Sequence, residues 1–86
     1  MTVNFYCNAL AYTGGEKTFE PKRASSVREL ADELGCLFGE AFKGFLLGGN
    51  TCFFLVNGKG IMTTGGLDTK LLPGDKIEIL PVVDGG

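Results

Sequence analysis

The segment Ser26-Val27-Arg28-Glu29 constrains the fold most, because it opens a helix between stretches that repeat at strand spacing. The Ser26 hydroxyl is placed to accept from the Glu29 amide, and the Glu29 side chain to reach back to the Ser26 amide, as in a capping box. Val27, Leu30, Ala31 and Leu34 follow at helical spacing, which leaves Arg28, Glu29, Asp32 and Glu33 for water. Gly35 is a candidate C-cap. Beyond it, Leu37, Phe38, Ala41, Phe42 and Phe45 again fall at helical spacing, so the segment from Cys36 to Leu47 either carries the helix past Gly35 or forms a second short one. Gly48-Gly49-Asn50 ends it.

Strand periods flank this helix on both sides. Val3, Phe5 and Cys7 point one way, Asn4 and Tyr6 the other. Gly14-Gly15 marks a turn, and Lys17 to Glu20 reads as a short return strand closed by Pro21, so the chain opens on a hairpin with a long loop. After the helix, Thr51 to Val56 is apolar on both faces, which predicts a central strand covered on both sides. Asn57-Gly58 is the favoured dipeptide of a type I′ turn, with Ile61-Met62-Thr63 as the return strand. Gly65-Gly66 breaks it, Leu67 to Leu72 leaves room for one 3₁₀ turn, and Pro73-Gly74-Asp75 turns the chain. Lys76 to Leu80 is the last strand, with Ile77 and Ile79 on one face; Pro81, lacking an amide, is expected to stop the ladder.

Strand, strand, helix, strand, strand, strand is an α+β order. It predicts one mixed sheet of four to five strands packed on one main helix, with a second short helix as an option. The first and last strands are expected side by side and parallel in the middle, the β-grasp arrangement. No linker or repeat divides residues 1–86, which read as one domain with a flexible tail over about 82–86.

Composition narrows the chemistry. At 86 residues with net charge −2, the chain has no basic footprint for nucleic acid. The longest apolar run, Cys52 to Val56, is far too short to cross a bilayer, and no charged region followed by an apolar run opens the chain as a signal peptide does. Cys7, Cys36 and Cys52 contain no C-x-x-C pair, and the chain has no histidine, so mixed Cys/His zinc sites are excluded. The thiols are expected free and partly buried, in the cytoplasm. Without histidine, a phosphate-binding glycine loop or a ligand cluster, no catalytic constellation assembles, so the chain is expected to be non-catalytic alone and to hold no cofactor or metal. The start at Met1 leads to the expectation that both termini are native.

What remains is the tail, Pro81-Val82-Val83-Asp84-Gly85-Gly86. Two glycines make a thin backbone that fits a narrow pocket, ending in a carboxylate no Cβ shields. Together, Val56-Asn57-Gly58, Leu71 or Leu72, Gly74-Asp75, Ile77-x-Ile79-x-Pro81 and Gly85-Gly86 resemble the ubiquitin-like sulfur-carrier family. That family includes the small subunit of molybdopterin synthase and the sulfur carrier of thiamine biosynthesis. Phe54-Leu55-Val56-Asn57-Gly58 and the tail are most similar to the former. The chain departs from the family in Asn8-Ala9-Leu10-Ala11-Tyr12, where many members carry charges, and in Pro81-Val82, where many have two prolines.

The resemblance implies a chemistry. An E1-like adenylyltransferase would use ATP to adenylate the Gly86 carboxylate, and a persulfide donor would convert it to a thiocarboxylate. That group would deliver sulfur to a precursor held by the large subunit of molybdopterin synthase, or by another sulfur-accepting enzyme such as that of thiamine thiazole formation. The chain would then be the sulfur-donating small subunit of such a complex. Gly85 would allow entry into the partner's channel, and Pro81 to Asp84 would form the neck. Val82 and Val83 either line a partner's groove or finish the last strand; Asp84 either meets a basic group or is solvated. Family members dock through an exposed sheet face, for which Leu80, Phe5, Phe53 and Phe54 are the candidates.

Other outputs stay open. An activated tail can equally be joined to lysines of target proteins, as in ubiquitin and the small archaeal modifiers. A plain interaction module with an incidental tail is a further possibility. A plant-type iron–sulfur protein is not, since it needs four cysteines in a C-x₄-C-x₂-C…C pattern.

Overall fold

The Ser26 cap starts the helix as expected. In the computed structural model, which describes residues 1–6, 9–48 and 52–81, Ser26 is extended and its hydroxyl accepts from the Glu29 amide at 3.2 Å. The return half of the box is displaced by one residue. Glu29 Oε1 accepts from the Ser25 amide at 2.8 Å and the Ser25 hydroxyl at 2.6 Å, not from the Ser26 amide. Ser25 offers two donors where the Ser26 amide offers one. The strand-like stretch is also stitched to the far side of the molecule, Val27 N donating to Thr69 O and Leu71 N to Ser25 O, both at 3.0 Å.

The elements run β1 (Thr2–Phe5), α1 (Ala9–Tyr12), β2 (Thr18–Phe19), α2 (Val27–Phe38), α3 (Glu40–Leu47), β3 (Cys52–Val56), β4 (Lys59–Gly60) and β5 (Lys76–Pro81). Gly35 is not a cap: α2 passes through it and stops at Gly39, whose φ of 110° turns the chain into α3. A Cβ on Gly35 would lie 2.8 Å from Lys43 Cβ, so this glycine is the close-approach point between α2 and α3. Lys43 Nζ closes the same contact on Asp32 Oδ1 at 2.8 Å. The short α1 has no counterpart in the sequence reading. Its Ala9 is buried, and Tyr12 stacks on Phe42 with ring centres 5.2 Å apart.

The five strands order as β2-β1-β5-β3-β4, with β1 and β5 parallel at the centre and every other pair antiparallel, the expected β-grasp sheet. Register puts Val3 beside Ile77 and Phe5 beside Ile79, with Phe54 and Val56 completing the same face. That face packs with Val27, Leu30, Leu34, Phe42 and Leu46 into one core. Phe5 meets Phe38 and Phe42 edge-on at 5.9 and 5.8 Å.

Three strand expectations change. β3 is covered on one face only: Cys52, Phe54 and Val56 are buried while Phe53 and Leu55 are not, because the buried core lies against a single side of the sheet. Asn57 and Gly58 take φ of 53° and 83°, as a type I′ turn requires, but the return strand stops at Gly60. Ile61–Thr63 coils into a 3₁₀ turn that buries Ile61, with the Thr63 hydroxyl donating to Gly60 O at 2.8 Å. Pro81 does not stop the ladder but forms its last rung, paired with Cys52, where a missing amide costs least. The chain ends β1 at Phe5; Cys7 lies outside the described residues.

Candidate functional site

The site is built from the last strand outward. Two turns hold its start. Asn57 Nδ2 donates to Asp75 Oδ1 and Asn57 Oδ1 accepts from the Lys76 amide, both at 3.0 Å, while Asp75 Oδ2 accepts from the Leu72 amide at 2.9 Å. The Asn57 amide donates to Lys76 O at 2.8 Å, and the Thr2 amide to Asp75 O at 3.0 Å. The Leu72 amide, and after it the Asn57 side chain, hold the Asp75 carboxyl below the usual carboxylate range. The turn residues Asn57 and Asp75, which read as separate local features, therefore form one clip. From it β5 runs between β1 and β3 as far as Ile79, and its last two residues, Leu80 and Pro81, pair with β3 alone. The remaining candidates, Val82, Val83, Asp84, Gly85 and Gly86, lie outside the described residues.

Side chains alternate across the strands, so the face opposite the core has a readable layout. One row runs across all five strands as Thr18, Asn4, Glu78, Leu55 and Gly60. Next to it, toward the tail, Leu80 sits opposite Phe53. Phe53 is 53% exposed and Met62 87%, while Leu80 and Leu55 are half-buried. Beside Phe53 opens an apolar recess of about 270 Å³, lined also by Leu46, Leu47, Cys52, Met62 and Leu67. The Tyr6 hydroxyl reaches over to donate to Glu78 Oε2 at 3.0 Å. That bond is the first cause pushing the Tyr6 phenol up, so the proton stays on tyrosine and the hydroxyl acts as donor.

Of the four docking candidates, the structure brings Leu80 and Phe53 together on the open face. Phe5 and Phe54 do not belong there. They are 2% and 4% exposed and share the inner face with Ile79, their direct neighbour in register. The alternation of Val3 and Phe5 against Asn4 and Tyr6 carries that answer for Phe5. For Phe54, flanked by apolar residues on both faces, it does not. Leu55, Glu78, Tyr6 and Met62 escape the sequence reading. The odd–even phase of β5, with Ile77 and Ile79 inward, is the signal that could have assigned Glu78.

The two described cysteines are not paired, and Cys52 contributes only to the recess wall. Cys36 is exposed and Cys52 buried, both free. Loss of solvent pushes the Cys52 thiol up to about 11, so it is protonated at neutral pH, with its sulfur 3.7 Å from the carbonyls of Phe45 and Leu46. Among the described residues no cluster of His, Cys, Asp or Glu is arranged to hold a metal ion, and no helix is long and apolar enough to cross a membrane.

A family model described as the ThiS family matches residues 3–86. No curated protein matches the chain. Among solved structures, a chain of the Amycolatopsis orientalis BexX/CysO complex is 28% identical with a TM-score of 0.82, over 99% of this chain and 98% of that one. The small archaeal modifier protein 1 of Methanosarcina acetivorans is 27% identical with a TM-score of 0.79, over 99% and 94%. A chain from the complex of subunits 1 and 2 of the molybdopterin-converting factor of Helicobacter pylori is 28% identical with a TM-score of 0.58, over 99% and 96%.

Proposed function

The chain belongs to the ThiS family of ubiquitin-like sulfur carriers, and from that premise we propose that the carboxylate of Gly86 is its reacting group. In this reading an E1-like adenylyltransferase binds the carrier with ATP. A Gly86 carboxylate oxygen attacks the α-phosphorus, releasing pyrophosphate and leaving an acyl-adenylate. The terminal sulfur of a persulfide donor then displaces AMP. Cleavage of the resulting S–S bond by a thiol leaves a thiocarboxylate on Gly86 and a disulfide on the donor side. The chain supplies the reacting atom and the handle; the partners supply nucleotide and acid–base chemistry. Reliance on ATP and thiols suits the cytoplasm.

The observation that carries the reading is the setting of β5. It is paired with β1 from Lys76 to Ile79 and with β3 as far as Pro81, where it ends beside the exposed Phe53. Five further residues reach at most about 18 Å beyond it, so an enzyme that takes Gly86 must rest against this end of the sheet. Gly85 and Gly86 present no side chain to a channel, and Pro81 to Asp84 serve as the neck, with Pro81 as its base on the sheet.

The likeness to a chain of the H. pylori molybdopterin-converting factor supports the large subunit of a molybdopterin synthase as acceptor. The likeness to a chain of the BexX/CysO complex supports a BexX-like acceptor equally well. Which purified acceptor consumes the thiocarboxylate decides between them. The likeness to an archaeal modifier favours a second output, attachment of Gly86 to target lysines. Isopeptide-linked conjugates carrying this chain in cell extract would establish it.

The adenylation step is tested by ATP–pyrophosphate exchange with the E1-like enzyme of the same genome. Exchange that depends on the carrier and is abolished by deleting Gly86 is expected. Exchange indifferent to Gly86 overturns the proposal.

A further inference from the structure

The open face is apolar at Phe53, Leu80 and Leu55, yet a carboxylate stands at its centre. Glu78 lies in the middle strand, between Asn4 on β1 and Leu55 on β3, and one repeat from Leu80 on the same face. It is half-buried, and the Tyr6 hydroxyl steadies one of its oxygens. No cation among the described residues neutralises it. The two ion pairs found among those residues, Arg28–Asp68 and Lys43–Asp32, lie elsewhere. Lys76, on the same face one repeat away, is exposed and outside ion-pair distance.

An ionised carboxylate accepts several hydrogen bonds, and tyrosine supplies one. A purely apolar partner laid on Phe53 and Leu80 would strip the water from Glu78 and return nothing, which opposes docking. A partner that places a lysine or arginine there keeps the charge paired while the surrounding apolar surface is covered. We propose that Glu78, steadied by Tyr6, selects the adenylating partner by receiving a cationic side chain from an otherwise apolar patch on that enzyme. This rests on the carrier reading above and adds a specificity residue to it; Glu78 touches no reacting atom.

The test measures carrier-dependent pyrophosphate release with the E1-like enzyme of the same genome, using full-length wild type, Glu78→Gln, Glu78→Leu and Tyr6→Phe. Matched thermal unfolding confirms that each variant folds. Glu78→Gln keeps the size and the tyrosine contact but removes the charge. It is expected to raise KM for the carrier about tenfold or more at unchanged kcat. KM is expected to rise with salt in wild type and to rise less steeply in that variant. Tyr6→Phe should show a smaller rise in KM. A Glu78→Gln KM within twofold of wild type, or a Glu78→Leu variant that binds more tightly, overturns the inference while wild-type turnover leaves the carrier reading standing. Failure of the wild type itself to be adenylated removes the carrier reading, and this inference with it.

Discussion

At Gly35, helix propensity and packing pull in opposite directions. Alanine is preferred over glycine inside a helix by about 1 kcal/mol. Here the added methyl would sit 2.8 Å from Lys43 Cβ, an atom tied closely to the α3 backbone that cannot swing away. Overpacking of this kind costs about 1–3 kcal/mol, so Gly35→Ala is expected to lower stability to urea despite the propensity gain. Gly44, on the exposed side of α3 with no described atom near its missing Cβ, is the control: Gly44→Ala should raise stability by about 0.5–1 kcal/mol. Equal effects at the two sites would contradict the packing account. Sequence alone does not separate these glycines. A glycine after Leu34 looks like a helix end, and the contact that explains it comes from another helix. Phe5 is different: the phase of Val3 and Phe5 against Asn4 and Tyr6 is enough to identify it as core, and it is buried.

At the scale of elements, the clip between the β3–β4 turn and the start of β5 sets how firmly the carrier arm is rooted. Asn57 does two jobs there: it tolerates a φ of 53° and it bonds Asp75 and Lys76. Asn57→Gly keeps the first and loses the second; Asn57→Ala loses both. Both should destabilise, Asn57→Gly by about 1 kcal/mol and Asn57→Ala by about 2, on denaturant titration. If Asn57→Gly matches wild type, the clip contributes nothing. Acid should expose the same device. Asp75, bonded by Leu72 and Asn57, and Glu29, bonded by Ser25, both titrate lower in the folded chain than in the unfolded one. Over that interval the unfolded chain holds more protons, so stability rises with pH. Their contribution is complete above about pH 5 and is lost as pH falls through the folded-state values. Asp75→Asn and Glu29→Gln should each flatten the acid limb of a stability-versus-pH curve; an unchanged limb would refute the assignment. The turn types are legible in the sequence because Asn-Gly and Pro-Gly-Asp have local causes. Their joining across 18 residues is not, and neither is the uncovered face of β3, since an apolar strand looks the same whether or not a layer covers its outer side.

For the whole molecule, the order of elements suffices for the β-grasp sheet, because a parallel pairing of first and last strands is the closure that one intervening helix allows. The open face is half legible: apolar character points to Phe5 and Phe54 as readily as to Leu80 and Phe53, and it passes over Glu78, whose part depends on its neighbours in register. The sulfur-carrier family is legible in Gly74-Asp75, Ile77-x-Ile79-x-Pro81 and the closing Gly85-Gly86 taken together; that the Gly86 carboxylate reacts is the proposal built on it. The most direct measurement of that claim is the intact mass of the full chain after incubation with its E1-like enzyme, ATP, a persulfide donor and a thiol. Replacement of one oxygen by one sulfur at Gly86, absent when Gly86 is deleted or a residue is added after it, is the expected result. An unchanged mass with every E1-like enzyme of the same genome, or sulfur incorporated elsewhere in the chain, would contradict it.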